Sequence, residues 1–498
     1  MTAAVTRNRV VIGLIASAMV SALLTHPAAA RPRYRFVEVS GQAGVADVPP
    51  RTWGQTWVDH DLDGDADLFV GYHWFEPRLF RNRGDGTYRR LHERALYPYQ
   101  VDRHGCAWGE ANGDGRPDLY CTQGADQGTG SGKNQLLLAG TSGLRDRARG
   151  FGVRDRHGRG RTVNWIDHDG DRDLDIFVGN HHRPNHPNVM FENLRGRFRR
   201  AAVGVGHELA TVSSTWADWD ADGDPDLLVL QRDHDAPVAY ENIGGRFAIA
   251  TIGIRGRNWR SAAWGDFDGD GFPDLHLVKA SRSAIFHNVS GRFRRVDERT
   301  LSMGRMSTWV DLNNDGDLDL FVVQGYRDGS NRGDFLVIRN RADGFEKVTG
   351  ASFRGTTAGN GDSVTVADHD ADGRMDVFVT NGHRCGISSP YPPCGPHSLL
   401  ENRSAAGNWA GVRLRGGRWN PFGMGATVEV VGVTRAYRRQ IGDGVDFRAQ
   451  SDPSYVHLGL GPDGGALVTV RWPDQEIDCV SVTAGGVQVV RKGEHPCV

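Results

Sequence analysis

Short apolar runs and polar turns alternate along most of this chain, and the alternation repeats. Trp57, Trp108, Trp165, Trp216, Trp264 and Trp309 each stand two residues ahead of an acidic turn, and Val366 takes that place a seventh time. After the turns come Leu68-Phe69-Val70, Ile176-Phe177-Val178, Leu227-Leu228-Val229 and Val377-Phe378-Val379. Aromatic and β-branched runs on both sides of a turn predict a hairpin, with the Trp residues in its core. A second hairpin recurs between the acidic turns, at Phe191-Glu-Asn193-Leu-Arg-Gly196-Arg-Phe198, at Tyr240 to Phe247 and at Phe286 to Phe293. Two hairpins per repeat predict a four-stranded sheet. Seven such sheets in a ring predict an all-β, seven-bladed β-propeller over residues 35–405. Phe36-Val37-Glu38-Val39 matches the strand that follows each Asn-x-x-Gly turn. It is expected to close the ring against Leu399-Leu400-Glu401-Asn402.

The acidic turns themselves carry the candidate chemistry. Counted over nine positions, the first loop holds Asp59, Asp61, Asp63, Asp65 and Asp67. The second holds Glu110, Asn112, Asp114, Arg116 and Asp118; the third Asp167, Asp169, Asp171, Asp173 and Asp175. Next come Asp218, Asp220, Asp222, Asp224 and Asp226, then Asp266, Asp268, Asp270, Phe272 and Asp274. The last two are Asp311, Asn313, Asp315, Asp317 and Asp319, and Asp368, Asp370, Asp372, Arg374 and Asp376. First positions lie 51, 57, 51, 48, 45 and 57 residues apart. Alternate carboxylates in a tight loop repel one another, and a hard cation removes the repulsion by accepting six to eight oxygens. Up to seven Ca²⁺ ions are therefore expected. Positions 1, 3 and 5 would supply side chains, position 7 (Asp65, Arg116, Asp173, Asp224, Phe272, Asp317, Arg374) its carbonyl, and position 9 a carboxylate. Gly at position 6 permits the sharp turn. EF-hands are excluded, because position 12 is Val70, Cys121, Val178, Val229, Leu277, Val322 and Val379, never Glu.

The ends of the chain change the picture of where it works. Arg7 and Arg9, the apolar run Val10 to Leu24 and Ala28-Ala29-Ala30 have the pattern of a signal peptide over residues 1–30. No other stretch is apolar enough to span a bilayer, so a secreted or periplasmic chain without a transmembrane span is expected. Six cysteines in close-spaced partners fit export. Fifteen pairings are possible, and 106–121, 385–394 and 479–497 each close a short loop (Cys106, Cys121, Cys385, Cys394, Cys479, Cys497). A length of 498 residues implies more than one unit, and 66 Gly with 9% aromatics favour strands and turns. A net charge of −2 argues neither for nucleic acid nor for an anionic membrane as partner, and none is expected.

With these residues in view, the Asp-x-Asp/Asn-x-Asp-Gly-x-x-Asp-Leu loops resemble FG-GAP/VCBS repeats, as in the propeller of integrin α subunits. The C-terminal part resembles the ASPIC/UnbV domain over residues 409–498. The carrying residues are Asn420-Pro421-Phe422-Gly423-Met424-Gly425-Ala426, Gln450-Ser451, His457-Leu458-Gly459-Leu460-Gly461 and Val470-Arg471-Trp472-Pro473. The two together look like the cartilage acidic protein family and its bacterial relatives. That resemblance implies exported, calcium-binding propellers acting in adhesion or ligand binding, with no established catalytic residue. Two departures matter. Loop 2 has Glu110 and Asn112 where Asp is usual, and loop 3 has Arg172 where Gly is expected, which strains a left-handed turn. Both are expected to bind the cation most weakly. A disulfide bracketing loop 2 could pre-organise it, or simply staple two strands.

Weaker signals are read as structure. Gly128 to Lys133 lacks a phosphate loop's first Gly and its Ser/Thr, because Gln127 and Asn134 stand there. His181, His182 and His186 are read as an exposed turn rather than a transition-metal site. The Pro-rich excursion from Arg384 to His397 is a candidate partner contact. The Gly-Arg-Phe-Arg-Arg runs at 196–200 and 291–295 are read as solvent faces of strands. Neither G-x-S-x-G nor H-E-x-x-H occurs, and no catalytic set is identified. The expectation is a monomeric scaffold for an extracellular protein or glycan ligand. An accessory assembly factor and a polysaccharide-acting enzyme are the alternatives. The Asn288 and Asn402 sequons matter only if the host glycosylates.

Overall fold

The computed structural model describes residues 34–47, 52–97, 102–124, 133–181, 186–207, 210–232, 236–279, 282–296, 304–324, 334–340, 344–348, 352–354, 361–382, 395–442 and 449–497. Expectations that fall on residues 1–30, 128–132, His182 or the Cys385–Cys394 segment lie outside them.

Each acidic loop joins two antiparallel strands, and in six of the seven the Trp before it faces the apolar residue after it, with Val366 opposite Val377 in the seventh. Trp57 pairs with Leu68, Trp108 with Leu119, Trp165 with Ile176, Trp216 with Leu227, Trp264 with Leu275 and Trp309 with Leu320. The second hairpin adds two outer strands. Thr52–Val58, Asp67–Tyr72, Arg78–Asn82 and Tyr88–Leu91 thus pair in chain order. The same four-strand order recurs from Arg103–Gly109 to Arg145–Asp146 and from Gly160–Ile166 to Phe198–Ala201. It recurs again from Thr211–Ala217 to Phe247–Ala250, from Ser261–Gly265 to Arg292–Arg295, and from Met306–Val310 to Glu346–Lys347. The final sheet is completed from the other end of the chain. Ser363–Ala367, Asp376–Thr380 and Ser398–Asn402 accept Arg35–Glu38, with Phe36 opposite Asn402 and Val37 opposite Glu401. This is the pairing expected from the sequence, and it covers an edge that would otherwise be open to other chains.

The core lies between sheets. Val58, Phe69 and Leu79 pack on Trp108, Leu119 and Leu137 of the next repeat, and Ile166, Phe177 and Met190 on Trp216, Leu227 and Tyr240. The last sheet packs on the first in the same way, through Ala367, Phe378 and Leu399 against Trp57, Val70 and Phe80. All six tryptophans are buried, as a core role requires. The result is an all-β, propeller-like array of repeated four-stranded sheets.

The C-terminal segment builds two further sheets. One contains Asn408–Arg415, Tyr455–Gly461 and Val487–Arg491; the other Thr427–Val431, Ala436–Gln440, Gly465–Arg471 and Ile477–Thr483. Between them lies a separate core of Val412, Leu414, Val428, Leu458, Val468 and Trp472. Disulfides join Cys106 to Cys121 and Cys479 to Cys497. Cys106 and Cys121 are direct partners on adjacent strands, the geometry of a strand staple. Both sequon asparagines are buried, so neither offers its amide to a glycan. Asn288 donates to Trp219 O and Pro273 O, and Asn402 to Leu312 O and Met375 O. Among the described residues, no helix is long and apolar enough to cross a membrane.

Candidate functional site

The acidic loops share one backbone conformation. Position 6 has positive φ in every copy: Gly64, Gly115, Arg172, Gly223, Gly271, Gly316 and Gly373. Arg172 adopts φ 80° despite its side chain, as the missing glycine implied. Position 4 is also left-handed throughout, at Leu62, Gly113, Gly170, Ala221, Gly269, Asn314 and Ala371. The sequence did not reveal this, because residues with side chains hold that place in four copies. Two left-handed residues separated by one fold the loop back on itself.

That fold turns loop N–H groups onto the carboxylates. At position 1, Asp167 accepts from Gly170 N and Arg172 N, Asp266 from Gly269 N and Gly271 N, and Glu110 from Asn112 N, Gly113 N and Gly115 N. Position 3 accepts from position 5, as Asp169 does from Asp171 N, and position 5 from position 7, as Asp270 does from Phe272 N. Position 9 behaves differently. Both oxygens of Asp226 accept backbone N–H groups, from Trp219 inside the loop and from Asn242 on the third strand. Asp67, Asp175, Asp274 and Asp376 repeat this pattern. These carboxylates brace the loop, with further lone pairs available to a cation.

Asparagines on the third strands then connect repeats. Asn242 Nδ2 donates to His168 O of the previous loop, Asn288 to Trp219 O, Asn402 to Leu312 O, and Asn82 to His369 O across the seam between the first and last sheets. The sequence marked these residues only as turn formers.

Burial keeps several loop carboxylates out of their ordinary range. Burial, reinforced by neighbouring carboxylates, pushes Asp167 up to about 8, and Asp368 and Asp311 up to about 7. Burial raises Asp226 and Asp274 to about 9. Oδ1 of Asp59, Asp173, Asp218 and Asp368 is buried without a hydrogen-bond partner. A buried carboxylate oxygen with no donor is costly unless a cation meets it. Asp59, Asp61 and Asp63 bring one oxygen each within 4.8 Å of one another. Hard oxygen donors in tight loops, some of them orphaned, fit Ca²⁺.

Loop 1 has other cations nearby. Arg81 binds Asp61 at 2.7 Å and Asp63 at 3.0 Å, while Arg413 and Arg415 each approach Asp59 Oδ2 to 3.5 Å.

Those arginines introduce the largest feature the sequence did not disclose. The C-terminal sheets sit on the acidic-loop side and touch every loop. Arg413 donates to Gly64 O at 2.7 Å, Arg418 to Gly113 O at 2.8 Å, Arg438 to Gly271 O at 3.0 Å and Arg439 to Gly316 O at 2.9 Å. Asp474 pairs with Arg172 at 3.0 Å, Gln440 accepts from Asp218 N, and a β-carbon at Gly373 would overlap the Trp409 indole. Phe422 and Met424 enter the core around Trp165 and Leu174. Gln450 exchanges two hydrogen bonds with the backbone of Trp108, and Ala449–Gln450 pairs with Gln55 and Thr56 of an innermost strand.

Elsewhere, His186 stacks on His157, and the Arg-rich runs fall on the outer strands Phe198–Ala201 and Arg292–Arg295 with their arginines turned mostly to solvent.

Two family models match this chain. The FG-GAP-like repeat family matches residues 59–121, 167–229, 218–277, 266–322 and 311–379. The ASPIC and UnbV family matches residues 416–492. Cartilage acidic protein 1 of Xenopus tropicalis is 26% identical over 496 residues, covering 89% of this chain and 74% of that protein. The Homo sapiens protein of the same name is 28% identical over 212 residues, covering 41% of this chain and 31% of its own length. Among solved structures, an Agrocybe aegerita lectin described as recognising non-reducing terminal N-acetylglucosamine aligns with TM-score 0.44 and 14% identity, over 78% of this chain and 97% of its own. With its repeats matched over more than half of its length, the chain belongs to the FG-GAP-repeat family and carries an ASPIC/UnbV domain at its C-terminal end.

Proposed function

We propose that this chain is an exported, calcium-loaded, seven-bladed propeller serving as a scaffold for an extracellular protein or glycan ligand, with the C-terminal domain as a cap over the calcium loops. The carrying observation is the shared loop conformation, left-handed at positions 4 and 6, which gathers carboxylates that burial holds out of their ordinary range. Bound Ca²⁺ would supply charge neutralisation and a rigid cross-link between the strands of each hairpin. The residues that would hold it are the side chains at positions 1, 3, 5 and 9 and the carbonyl at position 7. Loops 2 and 3 remain the weakest candidates, and the guanidinium groups around Asp59 and Asp61 add loop 1 to them.

Export is supported by the signal-like first thirty residues and by two disulfides among the described residues. The cap occupies the acidic side, so ligands have the opposite side and the outer strands. Binding to the folded state alone adds about 2.7 kcal/mol per site when calcium is a hundredfold above Kd. Thermal unfolding of the purified chain in millimolar calcium and in excess chelator, with bound metal counted, tests the proposal. Several calcium ions per chain and a large drop in midpoint on chelation are expected. No shift, with less than one ion bound, would reduce the acidic loops to ordinary turns.

A further inference from the structure

At the strand ends opposite the acidic loops, two histidines and an aspartate converge. His73 follows Asp67–Tyr72, while Asp102 and His104 open the next innermost strand. An isolated antiparallel bridge between His73 and Asp102 fixes their spacing through the backbone. His73 Nε2 lies 2.7 Å and His104 Nε2 3.0 Å from the same oxygen, Asp102 Oδ1. One oxygen from Asp102 and one nitrogen from each ring fall within 4.8 Å of one another. Asp102 and His104 are buried; His73 is partly exposed, which leaves a path from solvent.

The surroundings of Asp102 and His104 show what this arrangement requires. Asp102 Oδ1, the oxygen both rings approach, is buried without a hydrogen-bond partner. A buried carboxylate oxygen with no donor is costly unless a cation meets it. His104 Nδ1 lies 2.8 Å from the carbonyl oxygen of Gly160. The backbone carbonyl on Nδ1 is also the partner that orients a metal-ligating histidine.

We propose that His73, His104 and Asp102 form a binding site for a borderline divalent transition metal such as Zn²⁺, separate from the acidic loops and at the opposite ends of their strands. Two imidazoles and one carboxylate suit zinc, copper or nickel and do not suit calcium. Trp53 packs over both rings, with centroids at 5.2 and 4.7 Å. Arg161 is the competing cation: its Nη1 lies 2.6 and 2.7 Å from the two nitrogens of His104. Metal uptake requires Arg161 to withdraw from Nε2, so the site is weakened by its own neighbour.

The test is a Co²⁺ titration of the full chain in saturating calcium, which removes the acidic loops from competition, followed by visible absorption and by Zn²⁺ displacement. About one Co²⁺ per chain is expected, with the intense visible bands of a low-coordinate, nitrogen-ligated site. His73→Gln, at the partly exposed position, should weaken binding by at least about tenfold, the scale on which even outer partners act. Arg161→Met should strengthen it. His104→Gln should abolish it, and His73→Gln carries the test if that buried variant fails to fold. No uptake in calcium, or uptake unchanged in His73→Gln, would overturn the proposal; the second result would assign the metal to pairs such as His60 with Asp67 or His168 with Asp175.

Discussion

Arg413→Met is the substitution that most directly tests how the C-terminal domain is held. The guanidinium donates to Gly64 O at 2.7 Å, Asp452 Oδ2 at 3.0 Å and Ser454 Oγ at 3.1 Å, and stands 3.5 Å from Asp59 Oδ2. It is 10% exposed, and Asp59 and Asp452 are 2% and 6% exposed. Methionine keeps most of the volume and removes the charge. Breaking a buried ion pair from one side costs roughly 3–5 kcal/mol. Arg415 remains beside Asp59, so the lower end, about 3 kcal/mol, is expected. At about 2 °C per kcal/mol for a large domain, the midpoint should fall by about 6 °C in chelator. Calcium should narrow the gap, because an ion at Asp59 replaces the lost charge. The assay is differential scanning calorimetry of both proteins, with and without calcium. A midpoint within about a degree of wild type in chelator would refute the buried-pair argument. An equal drop in both conditions would refute the link to the loop.

Three further outcomes follow from the same geometry. Asn288→Ala removes the bonds to Trp219 O and Pro273 O and orphans Gly291 N, and should lower stability by about 2–3 kcal/mol; amide exchange should rise around residues 219–223. Arg172→Gly relieves a left-handed residue with a side chain and should stabilise by about 1 kcal/mol, because the lost pair with Asp474 involves a mostly exposed arginine. In chelator the midpoint should be higher at pH 5.5 than at pH 8. Asp167, Asp226 and Asp274 have folded values of about 8, 9 and 9, above an unfolded value near 3.8, so the fold favours their neutral forms and loses stability as pH rises through that window. Saturating calcium should reverse the trend, since protons then displace the ion; a chelated midpoint that falls on acidification would contradict the burial argument.

The sequence by itself determined the repeats, their strands and their order. Periodicity and turn chemistry are local, and they placed each Trp in a hairpin core and each acidic loop at a hairpin tip. Even the long-range pairing of Phe36 to Glu38 with Leu400 to Asn402 was legible, because that strand copies the pattern of the other outer strands and lacks a sheet of its own. The disulfides Cys106–Cys121 and Cys479–Cys497 were legible because each closes a short loop. The left-handed turn at position 4 was not, since Leu62, Ala221, Asn314 and Ala371 carry no signal of it. Only the tertiary structure decided what meets the loops. Arg413, Arg418, Arg438 and Arg439 are ordinary surface-type residues in sequence, and their role arises when one domain is laid on the other. The stitches made by Asn82, Asn242 and Asn288, and the convergence of His73, Asp102 and His104, likewise join residues from different sheets. Such contacts depend on the relative placement of sheets, a property of packed surfaces that no local pattern encodes.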